Sequence, residues 1–327
     1  MDGRAGPPGL HREGEGHHRG GGLPGHPCGP ARAAPAGGGL RLLPQHQPAY
    51  GGEGAMTDGG DGYTLAELMC IEAARLMPDR GVAVLGLGTP VLAGTLAKCL
   101  HHPDLVICTE VGAIDWRPDP ATVARAPLGI HDLILNHGAA MATDMVDVLG
   151  ALLMGGRADL GVLTGAQVDR YGNLNTICIG DYARPERRLG GTGGNTEIAC
   201  LAPRLLILMS QEPRRWKRRV DFVTSPGYID GPGARRQHGL APQGPNRIVS
   251  TMGVYRFDTP DGGETGSCEA VLEAVFPGLD PEAVAALVPW ELRVAPDLRE
   301  VEPPTAEELS LLRRLDPFQF YLTPGRY

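Results

Sequence analysis

The chain has 327 residues, 42% of them hydrophobic and 21% charged, and its net charge is −8. That size and balance suit one large α/β domain or two smaller ones. The acidic balance excludes a general nucleic-acid binder, and no apolar run reaches the roughly 18 residues that a membrane-spanning helix needs.

Residues 1–55 are dominated by Gly, Pro, Ala, Arg and His, as in "GPPGLHREGEGHHRGGGLPGHPCGP". Without hydrophobic periodicity such a segment cannot offset its ordering entropy. It reads as a disordered tail, or as an upstream extension that the cell does not translate, since Met56 precedes the first structured signals. His11, His17, His18 and His26 lack the fixed spacing that a metal site requires. The seven cysteines (Cys28, Cys70, Cys99, Cys108, Cys178, Cys200 and Cys268) form no C-x-x-C pair. Most fall in apolar runs, so reduced core thiols, no metal and a cytoplasmic setting are expected.

Order begins at Thr64. The run "TLAE" (64–67) is a capping box that opens a helix closed by Pro78. The strand "GVAVLGLG" (81–88) follows, and then "TP" (89–90), with Thr89 as N-cap and proline at the first helical position, opens the helix "VLAGTLAKCL". The chain next enters the strand "LVICT" (105–109). Further on, "HDLILN" and "ADLGVLTGAQVD" read as strand or helix segments, with "RLLILMS" (204–210) and "RVDFVTSPG" (219–227) as strands. Apolar runs that do not alternate indicate strands covered on both faces. The predicted fold for 56–327 is therefore one α/β domain, an open and mostly parallel sheet with helices on both faces. A capping box at Thr305 and Glu308 starts a C-terminal helical arm.

Glu110 breaks the pattern, because it places a carboxylate where a buried strand ends, and an unpaired buried charge costs several kcal/mol. Two chemistries fit. Gly86 and Gly88 after a strand, with an acid at the end of the next, outline a nicotinamide dinucleotide site with Glu110 on the ribose, but the third glycine position holds Val91. Alternatively, Glu110 is a covalent carboxylate, served by the glycine-rich turns "TGAQVDRYGN" (164–173), "GGTGGNTE" (190–197) and "SPGYIDGPG" (225–233). Their backbone N–H groups could line an oxyanion site at one sheet edge.

The stretches "GLGTPVLAG", "CTEVG", "GAQVDRYGNLN", "IGDYARP", "GGTGG" and "VDFVTSPGYIDGPG" resemble, in order and spacing, the β subunit of family I coenzyme A transferases, glutaconate CoA-transferase above all. The resemblance runs from about residue 60 to the C-terminus. It implies an open α/β fold and a covalent glutamate after an early strand, a place that Glu110 occupies. It also implies that the turn Gly193, Gly194 and Asn195 approaches the thioester end of CoA, with Gly165 and Gln167 as further contacts. No resident cofactor is implied, because the CoA thioester is a substrate. Asp169, Tyr171 and Asn173 read as residues that hold their own turn, and Ser225, Tyr228 and Asp230 as a structural loop. The basic run "RRWKRR" (214–219) reads as a solvated helix face.

The match departs from the family at Val111, where a small polar residue is usual, and at "GGNTE", where transferases carry Gly-Gly-Ala. The second departure is similar to relatives that open a carbon ring of an acyl-CoA in steroid breakdown and lack the covalent glutamate; the presence of Glu110 favours the transferase. The resemblance further implies a separate α-type partner subunit, met through the C-terminal helix and the apolar strands at the sheet's edge. A non-catalytic partner subunit is the reading that would have no use for Glu110.

Overall fold

Five short apolar strands build the middle of the sheet, and their alternate side chains fall into two separate cores. The structure, a computed structural model, describes residues 62–117 and 132–323, which lie within one unit, Gly52–Tyr327. The predicted tail 1–55 lies outside the described residues. The ten strands of the main sheet are β1 (Arg80–Leu85), β2 (Asp104–Thr109), β3 (Ala113–Ile114), β4 (Met141–Ala142), β5 (Leu160–Thr164), β6 (Leu205–Met209), β7 (Pro245–Ser250), β8 (Gly253–Phe257), β9 (Ala270–Val275) and β10 (Arg293–Glu300). Their spatial order is β10-β9-β8-β7-β6-β5-β1-β2-β3-β4. The run β7-β6-β5-β1-β2 is parallel throughout, as continuous apolar strands demand. β3 and β4 at one end and β8 at the other pair antiparallel.

Leu85, Ile107, Leu206 and Leu208 point into one core, while Val84, Cys108, Leu163 and Ile207 point into the other. This is the period of two expected of a strand buried on both sides. The first core is covered by α1 (Leu65–Arg75), α2 (Thr89–Leu96) and the C-terminal helix Ala306–Leu315. Both predicted capping boxes form, Thr64 with Glu67 and Thr305 with Glu308. The second core is covered in part by α3 (Asn195–Leu201) and by a wide, π-type helix, Val146–Met154.

Four local expectations are corrected. The helix after β1 takes Gly88, at φ 97°, as its N-cap, so Thr89 is already helical. The stretch 219–227 makes only a single bridge, Ser225 to Leu174, rather than a strand. Its polar side chains explain this: Asp221 and Thr224 are spent on Gln167, Gly180, Thr176 and Leu174 instead of leaving the backbone to a ladder. The basic run 214–219 is a turn leading into a two-residue strand, Trp216–Lys217, beside Val168–Asp169. Trp216 drives that arrangement, because it is buried against Tyr255 and Trp290. Finally, the C-terminal helix is no arm. Leu311, Leu312 and Leu315 are buried in the first core, while Arg75 grips Glu308 and Arg313 grips Glu67.

Candidate active site

β1 and β2 run in register from Arg80 opposite Asp104 to Leu85 opposite Thr109, so Gly86 and Glu110 emerge at the same carboxyl edge. The chain passes from β1 outward to β2, whereas β5, β6 and β7 progress the other way. The crevice at such a reversal is where open parallel sheets place their ligands.

Glu110 begins a tight turn in which the Gly112 N–H donates to the Thr109 carbonyl at 3.1 Å. Gly112 has φ +109°, and a Cβ there would stand 2.1 Å from the Thr143 carbonyl oxygen. Only glycine fits both the dihedral and the approach. The turn therefore projects Glu110 off the sheet at a defined point, half-buried.

A second loop closes over the carboxylate. Residues 189–192 are held by hydrogen bonds from Leu189 to Ile177 and from Gly191 to Thr176. This sets Gly193 (φ +50°) and Gly194 against Glu110. The Gly194 N–H donates to Glu110 Oε2 at 2.5 Å. A Cβ at Gly194 would lie 2.2 Å from that oxygen, and one at Gly193 would lie 2.9 Å from Oε1. Gly194 is also the N-cap of α3, so the carboxylate meets one of the N–H groups that a helix start leaves without an internal partner. Asn195, the first residue of α3, has its Oδ1 3.8 Å from where a Gly86 Cβ would be, which places it over the end of β1.

Burial pushes the Glu110 carboxyl above its ordinary range; the Gly194 N–H pulls the other way, and the nearby Glu197 carboxylate adds to the rise. A half-desolvated carboxylate with one backbone donor is less well solvated, and so more basic, than a surface acid.

Gly193, Gly194 and Asn195 are thus brought to Glu110. Gln167 is not among them: its amide donates to Asp221 at 2.7 Å and its oxygen accepts from Asn175 and from the Asp221 N–H. Gly165 is buried beside Gln167, Asn175 and Leu174, and its carbonyl accepts from Arg215. Both lie where the chain leaves β5 for the short strand Gln167–Asp169. Asp169 accepts from the Tyr171 and Asn173 N–H groups and from the Asn173 amide, and Asn173 in turn accepts from the Gly227 and Ile229 N–H groups. The turn 169–173 therefore fastens the loop 225–230. Within that loop Tyr228 is buried and Asp230 pairs with Arg219.

Arg235 went unnoticed in the sequence. It is 2% exposed and donates to the carbonyls of Pro226, Gly227, Ala241 and Ala199, the last in α3. Thr196 ties the other end of α3 to the Thr224 carbonyl at 2.7 Å. Together they fix the helix whose first turn holds Glu110. No pattern separates Arg235 from its neighbour Arg236, which is exposed and pairs with Glu264.

The outline of a dinucleotide site does not fill in. Val91 is packed in the first core, and Glu110 is closed over by Gly193 and Gly194. A cavity of about 450 Å³ lies far along the sheet, lined by Arg256, Phe257, Asp258 and Arg293, but its guanidinium groups already pair with Asp297 and Asp258. Among the described residues no cluster of His, Cys, Asp and Glu could hold a metal ion.

The profile of the coenzyme A transferase family matches residues 68–286. The chain is 37% identical to the B subunit of 3-oxoadipate CoA-transferase from Pseudomonas knackmussii, over 78% of this chain and 94% of that one. It is 31% identical to the B subunit of glutaconate CoA-transferase from Acidaminococcus fermentans, covering 80% of this chain and 95% of the relative. The crystal structure of that transferase superposes with a TM-score of 0.71 over 80% of this chain and 98% of the matched one. The chain is also 29% identical to a cholesterol ring-cleaving hydrolase IpdB subunit of Rhodococcus jostii, over 78% of this chain and 93% of that one.

Proposed function

Because this chain belongs to the coenzyme A transferase family, we propose that it is the B-type subunit of an enzyme moving CoA between an acyl-CoA and a carboxylic acid through Glu110. The observation that carries the reading is the Glu110 carboxylate itself, half-buried at the sheet's carboxyl edge and held by the Gly194 N–H.

In this mechanism the carboxylate attacks the thioester carbonyl, forming a mixed anhydride and expelling CoA thiolate. The thiolate attacks the glutamyl carbonyl, releasing the donor acid as its carboxylate and leaving a glutamyl-CoA thioester. An acceptor carboxylate then reverses both steps and departs as the new acyl-CoA, regenerating Glu110. One nucleophile divides a difficult exchange into easier ones, with ping-pong kinetics. Burial suits the task, since it raises the basicity of the carboxylate and keeps water from the anhydride. The Gly194 N–H bonds the resting carboxylate and stands ready to stabilise the oxygen of the glutamyl carbonyl when the thiolate adds to it.

Two supports narrow the substrate. The relatives named above act, by name, on 3-oxoadipate and glutaconate, so short dicarboxylic acids are the acyl class we assign. Both are B-type chains by name, so an A-type chain is assigned as the partner needed for activity. The free thiols of the six described cysteines suit a reducing cytoplasm, and among the described residues no helix is long and apolar enough to cross a membrane. The hydrolase-like relative supports ring opening as the second reading, against which Glu110 counts.

The test is to incubate the assembled enzyme with a dicarboxylyl-CoA and look for CoA on the Glu110 peptide by mass spectrometry. Borohydride is expected to reduce that thioester to an alcohol and inactivate the enzyme. Normal transfer by Glu110→Ala would show that another group is the nucleophile.

A further inference from the structure

Two oxyanions form during the exchange proposed above. One develops on the substrate's acyl oxygen when Glu110 attacks, the other on the glutamyl oxygen when the thiolate adds. The Gly194 N–H already bonds Glu110 Oε2 at 2.5 Å, so it serves the second. The first needs a donor of its own, within about 3 Å of where the charge appears.

The backbone beside Gly194 does not supply it, because the Asn195 N–H is spent on the Thr192 carbonyl at 3.0 Å. Two polar side chains of the neighbouring turns are committed as well: Thr196 to the Thr224 carbonyl, and Gln167 to Asp221 and Asn175. The Asn195 side chain is not. It is half-buried, and its amide makes no hydrogen bond to any described residue. Such a group carries two N–H donors, and leaving them unused in a partly dry crevice is costly.

Its position follows from the sheet. Val84 and Cys108 point into the second core, so Gly86 and Glu110, two residues further along, open toward the same side. Leu85 pairs with Thr109, which sets Gly86 and Glu110 at the ends of adjacent strands, about 5 Å apart. α3 covers that side, and Asn195 Oδ1 stands 3.8 Å from where a Gly86 Cβ would be. The amide therefore hangs over the end of β1 while the carboxylate rises from the end of β2. A half-turn about the last side-chain bond exchanges Oδ1 for Nδ2 and turns a donor to the crevice beside Glu110.

We propose that the Asn195 side-chain amide is a catalytic group of the transfer, donating to the acyl oxygen of the bound thioester; the proposal rests on the covalent reading above. Glu110 Oε1, the oxygen that Gly194 does not hold, forms the bond to the acyl carbon. The carbonyl π pair moves onto the acyl oxygen, where the Nδ2–H meets it. That pair returns to the carbon as the carbon–sulfur bond breaks and CoA leaves as thiolate. Asn195 gives up no proton and is unchanged by the step.

The test compares wild type and Asn195→Ala, as assembled enzymes, on two donors. One is a dicarboxylyl-CoA; the other is its dithioester analogue, in which sulfur replaces the acyl oxygen. Sulfur accepts hydrogen bonds poorly, so the amide has little to give the analogue. On the ordinary thioester Asn195→Ala should lose about 100-fold or more in kcat, with KM within about threefold. On the dithioester the loss should stay under about fivefold. Asn195→Asp keeps the shape and the helix start but lacks the donor, so it should lose as much as the alanine variant on the thioester. Both variants should melt at the wild-type temperature. Transfer by Asn195→Ala within about threefold of wild type would overturn the assignment. So would an equal loss on both donors, which is what a merely structural asparagine gives. If borohydride traps CoA on Glu110 in wild type, and Asn195→Ala forms that thioester equally fast, the assignment falls and the covalent reading stands. If wild type traps no CoA on Glu110, the covalent reading falls and the assignment falls with it.

Discussion

Replacing Gly194 by alanine asks whether the fit around Glu110 is functional. The new Cβ would stand 2.2 Å from Glu110 Oε2, 3.2 Å from its Cδ and 3.3 Å from its Cβ. To reach ordinary contact, the oxygen must retreat by about 1 Å or more. The Gly194 hydrogen bond, now 2.5 Å, would stretch to about 3.5 Å, beyond the range of a sound bond. A misplacement of that size at a reacting atom costs roughly 100-fold in rate, and the lost charge-assisted bond is itself worth about 1.5–3 kcal/mol. The backbone should tolerate the change, since Gly194 sits at φ −81° and ψ 6°, so the melting temperature should hold. The assay is steady-state CoA transfer, together with the rate at which borohydride-sensitive thioester appears. Gly190→Ala is the control: a Cβ there meets nothing within 4 Å, and activity should be unchanged. If Gly194→Ala keeps more than about a third of wild-type kcat/KM, far above the ~100-fold loss reasoned here, the carboxylate does not react from this position.

Burial raises the Glu110 carboxyl, and Glu197 contributes to the rise. Activity should thus fall as pH drops through a value above the ordinary 4.5, and Glu197→Gln should move that acid limb of the kcat/KM profile to lower pH. Burial also raises Asp169, from 3.8 to about 6. Between those values the folded chain holds a proton that the unfolded chain has released, so this group's contribution to stability falls as pH rises from 3.8 to 6 and levels off above. Urea midpoints of wild type measured against Asp169→Asn across that window should differ in slope, the wild type losing more stability, or gaining less, as pH rises, because only it carries the Asp169 contribution. Leu312→Ala, at a residue with 0% exposure in the C-terminal helix, should cost about 2–5 kcal/mol in urea unfolding; a cost under about 1 kcal/mol would mean that the helix does not belong to the first core.

Much of this was legible where local signals and tertiary packing agree. The strand pairs, both capping boxes and the break at Glu110 rest on short-range patterns, and the glycines at 112, 193 and 194 mark places where no side chain fits. Legibility failed where long-range partners decide. The stretch 219–227 has the composition of a strand, yet Asp221 and Thr224 bond residues more than forty positions away. "RRWKRR" looked like a solvated face because five cations surround one tryptophan, and the tryptophan prevailed. Arg235 and Arg236 differ only in what folds over them. Gln167 looked like a site residue, but Asp221 and Asn175 had already claimed both ends of its amide.

The contact between Glu110 and Gly194 works in both directions, and that makes it a marker for sorting sequences. While a glutamate occupies position 110, the space above Gly194 is taken, and any larger residue at 194 is selected against. Once a descendant on this scaffold shortens or loses that carboxylate, the volume opens and alanine or serine can drift in without penalty. Positions 110 and 194 should therefore change together across related chains, so that reading the two letters side by side separates lineages that still use the glutamate from lineages that have put the crevice to other work.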